Sequence, residues 1–408
     1  MPRTQHRALV LVSAVAAAAL ALTLSACTPP APTPSASGGS ATSVPSAGGS
    51  SAAPSQAPTV APTTPPTPPL AVPKVRVPFS CEDAAPAAEL TAALGAPVTL
   101  TTPVQEFELP ELRPYALLED GALNCSWSIH PGKSGNVTSY RVLVVPDVSP
   151  AQWTFYKGNG LGTSDPASPF GANTNLSCNS TEPKSMVCNL TAYIGTNFVD
   201  VESYSTKVLT SLSGTATVAR FTPLFTNLIA KVKAATIVEP RFTDPDATAV
   251  HYHSDFTISD KAITKAVNRP GYHYHSEAWG PIIDEDGPDL EAVSPVNFRW
   301  EGGAGGEGAT KGYSITSEVL PAGAWALPQI ASAAGGSPLY GPLTGVGDQA
   351  ITWSPTGNST KGDSVIVAIS GHNLFLIDVS WYGGGTPAQS PATVAQNVVK
   401  AIISGIGS

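Results

Sequence analysis

The sequence predicts an α+β fold: a tandem of two related domains, each an antiparallel sheet with helices packed on one face, set behind a disordered linker. Three observations point there. Helix-period and strand-period segments follow one another in the same order twice between residues 79 and 408. The stretch from Thr28 to about Val72 is almost wholly Pro, Ser, Ala, Thr and Gly. The chain opens with an apolar run that stops at a cysteine.

That opening reads as an export signal. Arg3 and Arg7 give a positive start, and Ala8 to Leu24 is apolar apart from Ser13 and Thr23. It ends in Leu24-Ser25-Ala26-Cys27, which looks like a lipobox, where the cysteine thiol is diacylated and the chain cut just before it. The small residues suit a peptidase that needs an extended chain with little bulk beside the bond. Cleavage by an ordinary signal peptidase after Ser25-Ala26 is the alternative. The expected organisation is a signal peptide over 1–26 and a linker over 27–72 with its lipid on Cys27. The protein is then expected at the outer face of the cytoplasmic membrane, with the membrane a partner through that lipid. No later stretch approaches the ~18 to 20 apolar residues that a bilayer span needs. The linker has too few large apolar residues to fold, and it reaches between ~40 Å as a flexible coil and ~140 Å as polyproline helix.

Residues 73–240 form the expected first domain. Ala87 to Leu94 is a short helix pattern, Asn124-Cys125-Ser126-Trp127 opens a strand, and Tyr140 to Val145 is another. Ser149-Pro150 starts a helix with Ser as cap and Pro in the first turn. Strands from Met186 to Ile194 and from Phe198 to Tyr204 join around Gly195-Thr196-Asn197. A last helix puts Val218, Phe221, Phe225, Leu228, Ile229 and Val232 on one face. Residues 241–408 repeat the order. Asp260 to Val267 is helix-like, Asn297-Phe298-Arg299-Trp300 begins a strand, and Gly312 to Val319 is a strand. Those from Ser364 and Leu374 meet at Gly371-His372-Asn373, and a helix starts at Ser390-Pro391.

Outside Cys27 there are four cysteines, Cys81, Cys125, Cys178 and Cys188, which in an oxidising compartment allow three pairings. The repeat narrows them. Aligning the halves puts Phe298 at Cys125 and Ile258 at Cys81, so both cysteines are lost together for apolar residues. Positions that swap jointly are expected to touch. That pairs Cys81 with Cys125 and, by elimination, Cys178 with Cys188.

A net charge of −9 argues against nucleic acid as a partner. His251-Tyr252-His253-Ser254-Asp255 has a near copy in His273-Tyr274-His275-Ser276-Glu277. On a strand, residues two apart share a face, so each pair sets two imidazoles about 6 to 7 Å apart. If the two strands were neighbours, His251, His253, His273 and His275 would converge on a site suited to zinc or copper. The alternative, and the more common use, is a solvated sheet face with no cofactor. Asp284 to Asp289 lacks EF-hand spacing and reads as a solvated acidic turn. Gly345-Val346-Gly347-Asp348 reads as a tight turn before a strand. Trp325, Tyr340, Trp353 and Trp381 serve either core packing or an apolar or sugar-binding groove, which the segment from Ala331 to Val346 could cover as a mobile loop. No nucleophile elbow, zinc-protease helix or phosphate loop occurs in the sequence, which weighs against an enzyme.

Cys81, Cys125-Ser126-Trp127 and Gly345-Val346-Gly347-Asp348-Gln349-Ala350 together resemble actinobacterial cell-wall lipoproteins of the LpqN type and the extracellular sensor domains of some membrane kinases. The motifs are divided between the halves: the first lacks the Gly-x-Gly-Asp turn and the second lacks cysteines. The resemblance implies a small α+β fold and an envelope role. The function expected is therefore a non-enzymatic binding or sensing module for a cell-wall ligand or surface protein. Histidine-based metal binding is the alternative, and a cell-wall hydrolase a third reading.

Overall fold

The computed structural model describes residues 70–101, 112–129, 138–158, 168–171, 173–182, 185–205, 214–247, 259–269, 272–275, 296–303, 311–334, 340–353, 364–382 and 386–406. The signal segment, Cys27 and nearly all of the linker lie outside them. Everything described belongs to the unit running from Thr67 to Ser408.

In the first half Ser80 opens α1 (Cys81–Ala84) with a reciprocal cap. Its Oγ accepts from the Asp83 N–H, and the Asp83 carboxylate accepts from the Ser80 N–H. After α2 (Ala87–Leu94), Gly95 turns the chain in the left-handed region. There follow β1 (Thr99–Thr101), α3 (Arg113–Glu119), β2 (Leu123–Ser128), β3 (Thr138–Val145), α4 (Pro150–Gly158), β4 (Thr174–Glu182), β5 (Ser185–Ile194), β6 (Asn197–Ser205) and α5 (Gly214–Ala234). The second half runs α6 (Asp260–Val267), β7 (Tyr272–His275), β8 (Val296–Gly303), β9 (Gly312–Leu320), a 3-10 turn at Gly323–Ala326, α7 (Leu327–Ala334), β10 (Tyr340–Leu343), β11 (Gln349–Trp353), β12 (Ser364–Ser370), β13 (Asn373–Tyr382) and α8 (Pro391–Ile406).

Each half is built on one antiparallel sheet, so the fold is the α+β tandem expected. The first sheet runs β1-β2-β3-β6-β5-β4 and the second β7-β8-β9-β13-β12-β11-β10. The orders correspond strand for strand, with β10 added at the far edge. The β5–β6 hairpin closes Ile194 onto Asn197 across Gly195, and the β12–β13 hairpin closes Ser370 onto Asn373 across Gly371. Both glycines have positive φ, 65° and 58°, as a tight hairpin turn demands.

Strand alternation divides the apolar residues between two faces. In the first half Tyr140, Val142, Val144, Val199 and Val201 pack under Phe221, Phe225 and Leu228 of α5. In the second, Ile315, Ile366, Phe375, Ile377 and Val379 pack under Val394, Val398 and Ile402 of α8. The residues between them, Leu143, Val145 and Phe198 on one sheet and Val365, Val367, Leu374 and Leu376 on the other, enter a single core that both halves share. Strands buried on both faces read as continuous apolar runs, which is why Val365-Ile366-Val367-Ala368 shows no polar alternation.

Cys81 is bonded to Cys125, tying α1 to β2, and Cys178 to Cys188, directly opposite each other on β4 and β5. Phe298 lies at the position of Cys125: it faces Ser317 on β9 as Cys125 faces Val142 on β3. Ile258 lies outside the described residues. The segment from Ala331 to Val346, expected as a mobile loop, instead ends α7 and supplies edge strand β10, whose four residues pair with β11. The Gly345–Asp348 turn is structural, as read: Asp348 donates from its N–H to Ile369 O (2.8 Å) and accepts from the Gly371 N–H (2.8 Å).

Candidate functional site

Where α6 ends, β9 begins and β13 ends, the second half carries a cleft of about 410 Å³. Helix α6 stops at Asn268, whose left-handed backbone (φ 53°) aims Arg269 into the cleft lining. Register does the rest of the assembly. Tyr313 and Trp381 face each other across β9 and β13, their rings in edge contact with centroids 4.9 Å apart. Arg269 lies over the Trp381 ring, 5.3 Å from its centroid, and Lys311 stands at the entrance to β9. The Tyr313 hydroxyl donates to Gln389 O (2.6 Å) and accepts from the Gln389 N–H (3.3 Å), and the Gln389 amide donates to Val267 O (3.2 Å). Burial pushes the Tyr313 hydroxyl above its ordinary value, against the Gln389 bond and the Arg269 charge, so it stays a proton donor. These bonds stitch the cleft's three walls together before any ligand arrives.

Among the described residues, the first half has matching strands with different side chains at the cleft positions. Thr138 and Ser205 face each other on β3 and β6 where Tyr313 and Trp381 do on β9 and β13. Ala96 follows the cap Gly95 as Arg269 follows Asn268. Among the described residues, the aromatic pair and the arginine that wall the cleft therefore belong to the second half.

A second polar group lies at the junction of the halves. Glu119, the last residue of α3, is 2% exposed and accepts a hydrogen bond from the Trp325 indole (2.9 Å). Burial pushes its carboxyl up to about 8; the Trp325 bond and the Arg241 charge oppose this, and Asp244 adds to it. Arg241 is ion-paired with buried Asp120. His372 Nδ1 and Asp244 Oδ2 share a hydrogen bond of 2.6 Å, fastening the β12–β13 turn to the connecting segment. Asp244, Asp246 and His372 have ligand atoms within 4.8 Å of one another, but the first and last are already each other's partners. Glu119 is the buried carboxylate that a hydrolase would require, yet it faces Trp325 between the packed halves and does not line the cleft.

No known protein family, curated protein or solved structure matches the chain.

Of the histidines expected to meet, His251 and His253 lie outside the described residues. His273 and His275 occupy alternate positions of β7, opposite Glu301 and Arg299 of β8. The acidic turn at 284–289 also lies outside. The four aromatics do not form one groove: Trp325 is buried in the shared core, which Tyr340 flanks, whereas Trp381 packs beside the core under α8 and walls the cleft. Trp353 stands on β11 opposite Tyr340 and Val365. Sequence reading missed Arg269, Lys311, Tyr313 and Gln389. Aligning the halves would have exposed the aromatic pair, because only the second carries large aromatics at those strand positions.

Proposed function

We propose that this protein is a non-enzymatic binding module of the bacterial cell envelope, held at the outer face of the cytoplasmic membrane by a lipid on Cys27, and that it takes its ligand in the cleft of the second half. The observation that carries the binding reading is the cleft itself, a preformed concavity walled by Trp381, Tyr313 and Arg269, where the matching strand positions of the sister half hold Thr138 and Ser205. Its volume falls within the roughly 300 to 1,000 Å³ typical of small-molecule sites. The anchoring rests on the Leu24-Ser25-Ala26-Cys27 sequence. Two disulfides fit an oxidising, extracytoplasmic setting, and among the described residues no helix is long and apolar enough to cross a membrane. The resemblance to LpqN-type lipoproteins agrees with this setting.

The test is a titration of the lipid-free Cys27→Ser chain with soluble fragments from a muramidase digest of cell wall, followed by tryptophan fluorescence and calorimetry. The expected result is saturable binding that Trp381→Ala weakens at least tenfold while Trp325, in the shared core, is left in place. Absence of heat, or binding that Trp381→Ala does not alter, would remove the cleft from the account.

A further inference from the structure

Resting on the reading of the cleft as the ligand site, we infer that the ligand carries a carboxylate, received by Arg269 and Lys311. The chain has 21 basic residues against 30 acidic ones, and several cations outside the cleft are ion-paired, Arg76 with Asp147, Lys231 with Asp83 and Arg241 with Asp120. The cleft lining gathers two cations, Arg269 and Lys311. Among the described residues, no carboxylate lies within ion-pairing distance of the Arg269 guanidinium or the Lys311 ammonium, and none lines the cleft. Two cationic donors therefore border one concavity with no protein anion among the described residues to receive them. In a protein of net charge −9 such a site is a local reversal of the field, and it draws an anion against the repulsion of the rest.

The chemistry of the two cations selects a carboxylate of small-molecule size. The cation–π contact with Trp381 places the Arg269 guanidinium at the cleft wall, and a guanidinium suits a planar, two-oxygen acceptor, which arginine binds in a fork. Lys311 adds a point charge without directional demand. The Trp381 and Tyr313 rings supply an apolar wall for the body of the ligand. In a cell envelope that group comes from either an acidic sugar or the free end of a short peptide.

Four probes separate the sources. They are a tetrasaccharide alternating glucuronic acid and N-acetylglucosamine, the tetrasaccharide of N-acetylglucosamine alone, an alanine-rich tetrapeptide with a free C-terminus, and its C-terminal amide. Each is titrated into the Cys27→Ser chain by calorimetry, with the part of the tryptophan fluorescence change that Trp381→Phe removes as a second readout. The expected result is that one acid binds at least tenfold tighter than its neutral counterpart and weakens as salt rises. Arg269→Gln and Lys311→Gln, checked for native circular dichroism, should each erase that preference without abolishing residual binding of the neutral probe. Which acid responds names the source. Equal binding of acid and neutral partner, or a preference that survives both substitutions, overturns the carboxylate and leaves the cleft standing. Binding of none of the four, with the muramidase digest still bound, overturns this inference alone, and failure of the digest as well overturns the cleft reading beneath it.

Discussion

Asp147 and Ala322 occupy the same turn in the two halves, and both hold the left-handed backbone that non-glycine residues avoid, with φ of 61° and 62°. Each follows a proline that follows the last residue of the central strand, Val145-Pro146 in one half and Leu320-Pro321 in the other. Beyond the turn, Val148 donates to Thr196 O (2.8 Å) and Ala324 to His372 O (2.9 Å), so each chain docks on the middle of its hairpin. The correspondence reaches the backbone angles, which makes duplication of one unit the simplest origin of the fold.

The turn gives a direct stability test. Ala322 already carries the about 1–2 kcal/mol that a Cβ costs in the left-handed region, and Ala322→Val, with its branched Cβ, should destabilise the protein further. Ala322→Gly relieves that strain against a loss of about 0.5–1 kcal/mol in chain entropy, and should be neutral or slightly stabilising. Urea unfolding of both variants checks the order. A valine variant as stable as the glycine variant would contradict the angle.

Glu119 makes stability depend on pH. Its carboxyl, at about 8, titrates well above the ordinary 4.5, so the folded state holds the proton more tightly than the unfolded chain. The contribution is complete below 4.5 and is lost as pH rises through about 8, an effect on the order of a few kcal/mol. Glu119→Gln keeps an acceptor for Trp325 and does not ionise. The variant should gain on the parent between pH 5 and pH 8.5 in denaturation midpoints, whereas an equal gap at both pH values would show that Glu119 titrates normally.

The two disulfides should differ in worth. Cys81–Cys125 closes a separation of 44 residues and Cys178–Cys188 one of 10. Loop-closure entropy alone assigns them about 4 and about 3 kcal/mol. Cys81→Ala with Cys125→Ala should therefore lower the unfolding free energy more than Cys178→Ala with Cys188→Ala, by chemical denaturation under non-reducing conditions. The reverse order would mean that the cross-strand link holds β4 on the sheet by more than entropy.

Replacement of Cys27 by Ser should release the protein into the medium in folded form, because Cys27 precedes the folded unit and the two disulfides employ the other four cysteines. Fractionation followed by immunoblotting measures this. Retention of the variant in the membrane fraction would exclude lipid on Cys27 as the anchor.

Elements with a strong period were legible: α2, α5, α6, α8, β3 and the two hairpins lie close to where the apolar spacing put them. Those that were missed lack a local signal. Strand β4, Thr-Asn-Leu-Ser-Cys-Asn-Ser-Thr-Glu, is nearly all polar and is held by its ladder to β5 and by Cys178. Strand β10 carries Gly341 and Pro342, which read as a loop, and it exists because β11 offers an edge to pair with. Helix α3 is a single short piece after Leu112, fixed by burial of Tyr115, Ala116 and Leu117 in the shared core.

By itself the sequence determined the order of elements, the duplication, the joint replacement of Cys81 and Cys125 and the export-like opening, because period, turn chemistry and residue identity are local properties. Only the tertiary structure decided that the two sheets share a core through their second faces, since alternation shows that a face is apolar and not what covers it. Only it brought Arg269, Lys311, Tyr313, Trp381 and Gln389 around one cleft. Those residues are far apart along the chain, and their meeting depends on the β9–β13 register and on where α6 stops, which are set by packing between distant segments.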